Sequence, residues 1–178
     1  ANFSKILIPK NVTRIGSNCF YDCRKLTDFI LDKDSKLRFI DHIILNNNIN
    51  EIYIPSCVDK FSDGWCHFLK NSKNIKLSDE NTHFKLLDNK IILEKSDENN
   101  NEFDTLCFAP CDIEKVIIPS TIKFIRSYAF YGCNKIKTIE FEENSQLEII
   151  GNNAFCSSIE SIKIPKYVAY IKDGAFAG

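Results

Sequence analysis

The sequence predicts a single domain, 1–178, built as a solenoid of seven 23-residue coils with a parallel β-sheet on one face and a small β-meander inserted at 79–110. Three observations carry that expectation. Ile-Pro pairs stand at Ile8-Pro9, Ile54-Pro55, Ile118-Pro119 and Ile164-Pro165, and the first and last intervals are both 46 residues, twice 23. Apolar alternations fill the midpoints, Phe29-Ile30-Leu31 and Ile139-Glu140-Phe141. From Leu77 to Ile118 the step is 41 residues, one period plus an insertion of 18.

Each coil opens on a short strand. Its inward residues are Ile6 and Ile8, Phe29 and Leu31, Ile52 and Ile54, Ile75 and Leu77, Val116 and Ile118, Ile139 and Phe141, and Ile162 and Ile164. Where proline follows, the ring removes a backbone donor and ends the strand. A third apolar position, Phe3, Leu26, Ile49, Ser72, Ile113, Ile136 and Ile159, fails only at Ser72. A second block comes after the strand: Val12, Ile15 and Cys19-Phe20 in coil one, Ile122, Ile125 and Ala129-Phe130 in coil five, Val168, Ile171 and Ala175-Phe176 in coil seven. The small residue lets backbones approach while the aromatic fills the interior, so Phe20, Phe130, Phe155 and Phe176 are expected to be buried. In coils two and six, Asp34-Ser35-Lys36-Leu37 and Asn144-Ser145-Gln146-Leu147 add two residues after the strand. Within the insertion, Phe84 to Leu87, Lys90 to Leu93 and Thr105 to Pro110 read as strands, with Asp88-Asn89 as a left-handed turn and Asp97 to Glu102 as a polar loop.

The stretch Ile6 to Leu26, with Ile-x-Ile-Pro-x-x-Val-x-x-Ile-Gly before Cys19-Phe20, resembles the BspA-like class of leucine-rich repeats, Cys19 standing where Ala is usual. Val116 to Ile136 resembles it closely, and the likeness weakens in coil three, where Trp65-Cys66 occupies the Ala-Phe position. The resemblance implies a leucine-rich-repeat solenoid carrying a β-meander. It also implies a non-enzymatic protein-binding or adhesion module, cell-surface or secreted, of a kind found in certain bacteria and unicellular parasites, whose ligand would be a host or matrix protein. An intracellular scaffold or receptor-like sensing module built from the same repeats is the alternative, with a cytoplasmic location.

Composition narrows the field. Twenty-three Lys plus Arg against 24 Asp plus Glu leave a net charge of -1, so no net field draws the chain to nucleic acid or anionic lipid. Apolar runs fall far short of a membrane helix, which needs about 20 residues. Cys23, Cys133 and Cys156 each lie three residues before the third apolar position, where a small side chain stacks inside the turn. A disulfide from Cys133 to Cys111 or to Cys156 is the competing reading, since adjacent coils bring their Cα atoms into bonding range. His42, His67 and His83 fall in different coils without a second ligand nearby, so neither a metal nor a cofactor is expected. Cys66-His67 lacks an orienting third group, and no phosphate loop, serine elbow or carboxylate pair is recognisable. Asn2-Phe3-Ser4 and Asn11-Val12-Thr13 are glycosylation sequons at the frequency chance provides.

The candidate partner-binding residues lie between the two inward positions of each strand: Leu7, Ile30, Tyr53, Lys76 and Ile117, continued by Glu140 and Lys163. They form a recognition strip or merely reflect β-propensity on a sheet surface. The meander is the second candidate, because solenoid insertions commonly project from one edge. The chain stops in mid-coil at Ala175-Phe176-Ala177-Gly178, so the natural protein is expected to continue or to have this end covered. Oligomeric state is not legible.

Overall fold

The computed structural model describes residues 2–41, 49, 51–65, 74–99, 101–155 and 159–177. They group into two compact units, Ala1–Lys90 and Ile91–Gly178, divided inside the insertion. The first contains β1 (Lys5–Ile8), β2 (Arg14–Ile15), β3 (Asp28–Leu31), β4 (Phe39–Ile40), β5 (Glu51–Ile54), β6 (Lys60–Phe61), β7 (Asn74–Leu77) and β8 (Phe84–Leu87). The second contains β9 (Ile91–Glu94), β10 (Thr105–Phe108), β11 (Lys115–Ile118), β12 (Phe124–Ile125), β13 (Thr138–Phe141), β14 (Ile149–Ile150) and β15 (Tyr170–Ile171).

Coils therefore carry two strands, not one. The four-residue strands stack in parallel as β1-β3-β5-β7 in the first unit and β11-β13 in the second. The second block supplies two-residue strands, stacked as β2-β4-β6 and as β12-β14-β15. Pairing keeps the 23-residue offset, with Lys5 opposite Asp28 and Lys115 opposite Thr138. The seventh coil departs from expectation: its four-residue strand is reduced to a single bridge, Thr138 to Ser161, and Lys163 lies outside any strand.

Alternation puts the inward residues in the core: Phe29, Leu31, Ile52, Ile54, Val116 and Ile118 are all buried. Between the two strands every Ile-Pro end makes the same turn, in which the N–H of Val12, Val58, Ile122 or Val168 donates to the carbonyl of Pro9, Pro55, Pro119 or Pro165 at 3.1 to 3.3 Å. After the second strand the chain bends through a left-handed residue just before the small-aromatic pair: Asn18, Gly64, Tyr128, Asn153 and Gly174 all have φ between 50° and 73°. Asn and Gly tolerate that conformation; Tyr128 is the exception.

Phe20, Phe130 and Phe155 are buried as expected, and Phe130 stacks on Phe155 at 5.1 Å. Phe176 stacks on Phe155 at 5.2 Å but is 40% exposed, contrary to expectation, with one ring face against Phe155. In coil three Trp65 takes the position of the small residue, and Phe61 lies between Trp65, at 3.9 Å, and Phe84, at 4.4 Å.

The strands of the insertion form where the sequence places them, with left-handed Asp88 and Asn89 at the turn. Its last strand does not project, however. β10 pairs antiparallel with β9 and, on its other edge, parallel with β12, and all four of its residues are buried. A solenoid sheet has thus absorbed part of the insertion. Two buried polar side chains fasten the rest. Asn81 donates to the carbonyls of Pro55 and Val58 at 2.9 and 3.0 Å and accepts from the N–H groups of His83 and Phe84, both at 2.9 Å. Asp104, 1% exposed, accepts from the Ser96 N–H at 2.9 Å and its hydroxyl at 2.7 Å.

Candidate functional site

The outward positions of the four-residue strands carry side chains that the coil does not need for its core. Leu7 is 59% exposed and Ile30 37%, and the two are direct ladder partners. Leu7, Pro9, Ile30 and Leu31 line a shallow groove of about 710 Å³, rimmed by Lys10 and Asp32 among others. An apolar floor on paired strands, bordered by charges of both signs, is suited to receiving an apolar side chain of a protein partner.

Tyr53 is half-buried on β5 and pairs with Lys76 on β7, whose ammonium meets Glu51 at 3.0 Å. The expected row is not continuous. Between β3 and β5 only Asp28 and Glu51 are registered, so Ile30 and Tyr53 are not ladder partners. Ile117, 52% exposed, belongs to the second unit, where Lys115 meets Glu140 at 2.8 Å. The five candidates thus fall into three sets: Leu7 with Ile30, Tyr53 with Lys76, and Ile117 by itself.

The thiols divide by burial. Cys23 is 5% exposed inside its turn, where its N–H donates to the Phe20 carbonyl. Cys133 makes the corresponding bond to Phe130 and is joined to Cys111 by a disulfide, the first of the two pairings the sequence left open. Cys156, Cys66, His67 and His42 lie outside the described residues. Cys107 is buried between strands, and desolvation first, then the charge of Glu94, pushes its thiol well above the ordinary range, with Arg126 opposing. Such a thiol is protonated at neutral pH and is a poor nucleophile. Among the described residues no group of three or more His, Cys, Asp or Glu could hold a metal ion, and no helix is long and apolar enough to cross a membrane.

Sequence reasoning missed the left-handed turn position and the keystone Asn81. Asn or Gly before the small-aromatic pair in four coils was a readable signal for the first. For the bonds Asn81 donates none existed, since the accepting carbonyls are 23 and 26 residues away.

Comparison with known proteins agrees with this architecture. The solved pneumococcal vaccine antigen PcpA is 24% identical, with a TM-score of 0.78 over 93% of this chain and 40% of its own. A leucine rich cell surface protein from Faecalibacterium prausnitzii A2-165 is 21% identical, with a TM-score of 0.66 over 98% of this chain and 51% of its own. The chain thus spans about half or less of either, and at these identities the likeness is one of fold. No curated protein matches it in sequence. Residues 1–87 and 89–178 match the BspA type leucine rich repeat region, in six copies. With nearly the whole chain covered, and coils of the expected length and pairing, the protein belongs to the BspA type leucine-rich repeat family.

Proposed function

We propose that the chain is a non-enzymatic protein-binding module of a cell-surface or secreted protein, and that it engages its ligand through Leu7 and Ile30 with Tyr53 as an adjoining anchor. The observation that carries this reading is the exposed Leu7–Ile30 pair, held on a four-rung ladder beside the groove formed with Pro9 and Leu31. Two paired aliphatic side chains facing solvent add nothing to the core, and they are the kind of apolar centre that interfaces desolvate. The Cys111–Cys133 disulfide fits an oxidising compartment, and the relatives of like fold include a vaccine antigen and a cell surface protein. An intracellular scaffold built from the same repeats is favoured by one fact, the free thiols of Cys19, Cys23, Cys57 and Cys107, with Cys19 exposed.

Binding to host cells or matrix, compared between wild type and Tyr53→Ala, tests the reading. The substitution is expected to remove about 2 kcal/mol of affinity while changing stability by less than about 1 kcal/mol. Charge reversal in the insertion, Lys90→Glu, should leave affinity unchanged. The inverse result, with Lys90→Glu abolishing binding and Tyr53→Ala silent, assigns recognition to the insertion. Mass analysis of unreduced protein from its native source separates the compartments, because an intracellular protein would carry Cys111 and Cys133 as thiols.

A further inference from the structure

The ladder of four-residue strands is built in pairs of coils, and at each weak joint an Ile-Pro end removes the donor of the last rung. Four rungs join β1 to β3, β5 to β7 and β11 to β13, but only one joins β3 to β5, and only one joins β13 to coil seven. In coils two, four and six the residue after the strand donates its N–H to the strand-end carbonyl of the preceding coil. These bonds run from Asp32 to Ile8 at 3.3 Å, from Ser78 to Ile54 at 2.9 Å and from Glu142 to Ile118 at 3.0 Å. Coils three and seven place Pro55 and Pro165 at that position, and proline has no N–H to give. The carbonyls of Leu31 and Phe141 therefore lack this bond. Coils do not part altogether, because the second sheet runs through both joints, β4 to β6 and β14 to β15.

At the joint of coils six and seven the opening is a groove of about 550 Å³, with Ile139, Phe141 and Glu142 on one wall and Lys163, Ile164 and Pro165 on the other. The N–H groups of Thr138 and Glu142 are committed to the carbonyls of Glu114 and Ile118 in coil five. Strand alternation consequently turns the N–H and C=O of Phe141 toward the groove. Ile164 is only half-buried there, whereas its counterpart Ile118 is fully buried.

We propose that this groove accepts an extended polypeptide segment, which adds as a parallel strand to the edge of β13 beyond the Thr138–Ser161 bridge. An edge of alternating backbone donors and acceptors is matched by another extended backbone. Charge specifies the segment further: a cation to face Glu140, an apolar side chain beside Phe141 and Ile164, a residue other than proline whose N–H reaches the Phe141 carbonyl, and then a carboxylate to meet Lys163 and Lys166. Coil four shows such a sequence in use, since Lys76 meets Glu51 at 3.0 Å and Ser78 donates to Ile54. The site is separate from Leu7, Ile30 and Tyr53 and stands or falls without them.

The test is fluorescence anisotropy with a labelled synthetic peptide of the sequence Asn74–Glu80, added to the whole 178-residue chain. Saturable binding is expected, with amide shifts centred on Glu140, Phe141 and Glu142. The same peptide carrying Ser78→Pro lacks the one N–H that closes the ladder and should bind about tenfold more weakly. In the protein, Pro165→Ala gives coil seven its own donor to the Phe141 carbonyl and should weaken the parent peptide by a similar factor, whereas Tyr53→Ala should leave it unchanged. Equal affinity of the two peptides, no binding of the parent peptide at millimolar concentration, shifts centred elsewhere, or indifference to Pro165→Ala would overturn the proposal.

Discussion

The two units present the same coil in different settings. In the first, the interior is closed by an aromatic stack, Trp65 on Phe61 on Phe84, and the chain is fastened by the neutral side chain of Asn81. In the second, Phe130 and Phe155 stack, a disulfide joins Cys111 to Cys133, and the insertion brings the Arg126–Glu94 ion pair at 2.9 Å and the buried carboxylate of Asp104. Corresponding positions can therefore differ sharply. Gly16 and Gly151 both follow the second strand of their coils, yet a side chain at Gly16 would meet nothing within 4 Å, whereas one at Gly151 would come within 2.4 Å of the Ser127 backbone nitrogen. The difference teaches that a repeat prescribes which positions face inward, and that neighbours decide what each position can hold.

The largest effect that would break this comparison is on the aromatic interior. Phe130→Ala should cost about 3 to 5 kcal/mol, since the ring is fully buried between coils, and Phe176→Ala well under half of that. Chemical denaturation curves that rank the two variants the other way would mean that the coil alignment is wrong. Next comes the glycine pair. Gly151→Ala should lose about 3 kcal/mol by forcing backbones apart, while Gly16→Ala should be neutral or gain about 0.5 kcal/mol by stiffening the unfolded chain. Equal melting temperatures for the two would erase the distinction drawn between their settings.

A smaller effect concerns pH. The Cys107 thiol is held above its unfolded value, so its contribution is fully present below the unfolded thiol range, near about 8.5, and is lost as pH rises beyond it, because the unfolded chain ionises first. Melting temperature should thus fall more steeply with alkaline pH in wild type than in Cys107→Ala, each measured relative to its own value at pH 7. The smallest effect is at Tyr128, left-handed where four other coils use Asn or Gly. Tyr128→Asn relieves that conformation but gives up an edge-on contact with Tyr131 at 5.5 Å, so stability should change by less than about 1 kcal/mol.

Much of the candidate site was legible as positions and little of it as a surface. Leu7 and Ile30 could be assigned to the outward face because β-strand side chains alternate, whatever the neighbouring coils do. That Ile30 and Tyr53 fail to pair could not be seen by inspecting either residue. It shows only in the ladder between the two coils, where Asp28 and Glu51 alone are registered and Pro55 leaves the carbonyl of Leu31, 24 residues earlier, without a donor. The insertion misled for a related reason. Its strands were correctly placed by alternation and by the Asp88-Asn89 turn, but the burial of its last strand depends on β10 finding an edge of β12 to pair with.

By itself the amino-acid sequence determined the coil length, the inward residues, the four-residue strands of coils one to six, the left-handed turn at Asp88-Asn89 and the family, because these follow from local periodicity and backbone geometry repeated many times over. Tertiary structure alone decided which coils pair fully, that Cys133 joins Cys111, and that Gly151 admits no side chain while Gly16 does. The physical reason is range: periodicity is a property of neighbours along the chain, whereas a hydrogen-bond donor, a thiol or a free volume takes its meaning from a partner one coil away.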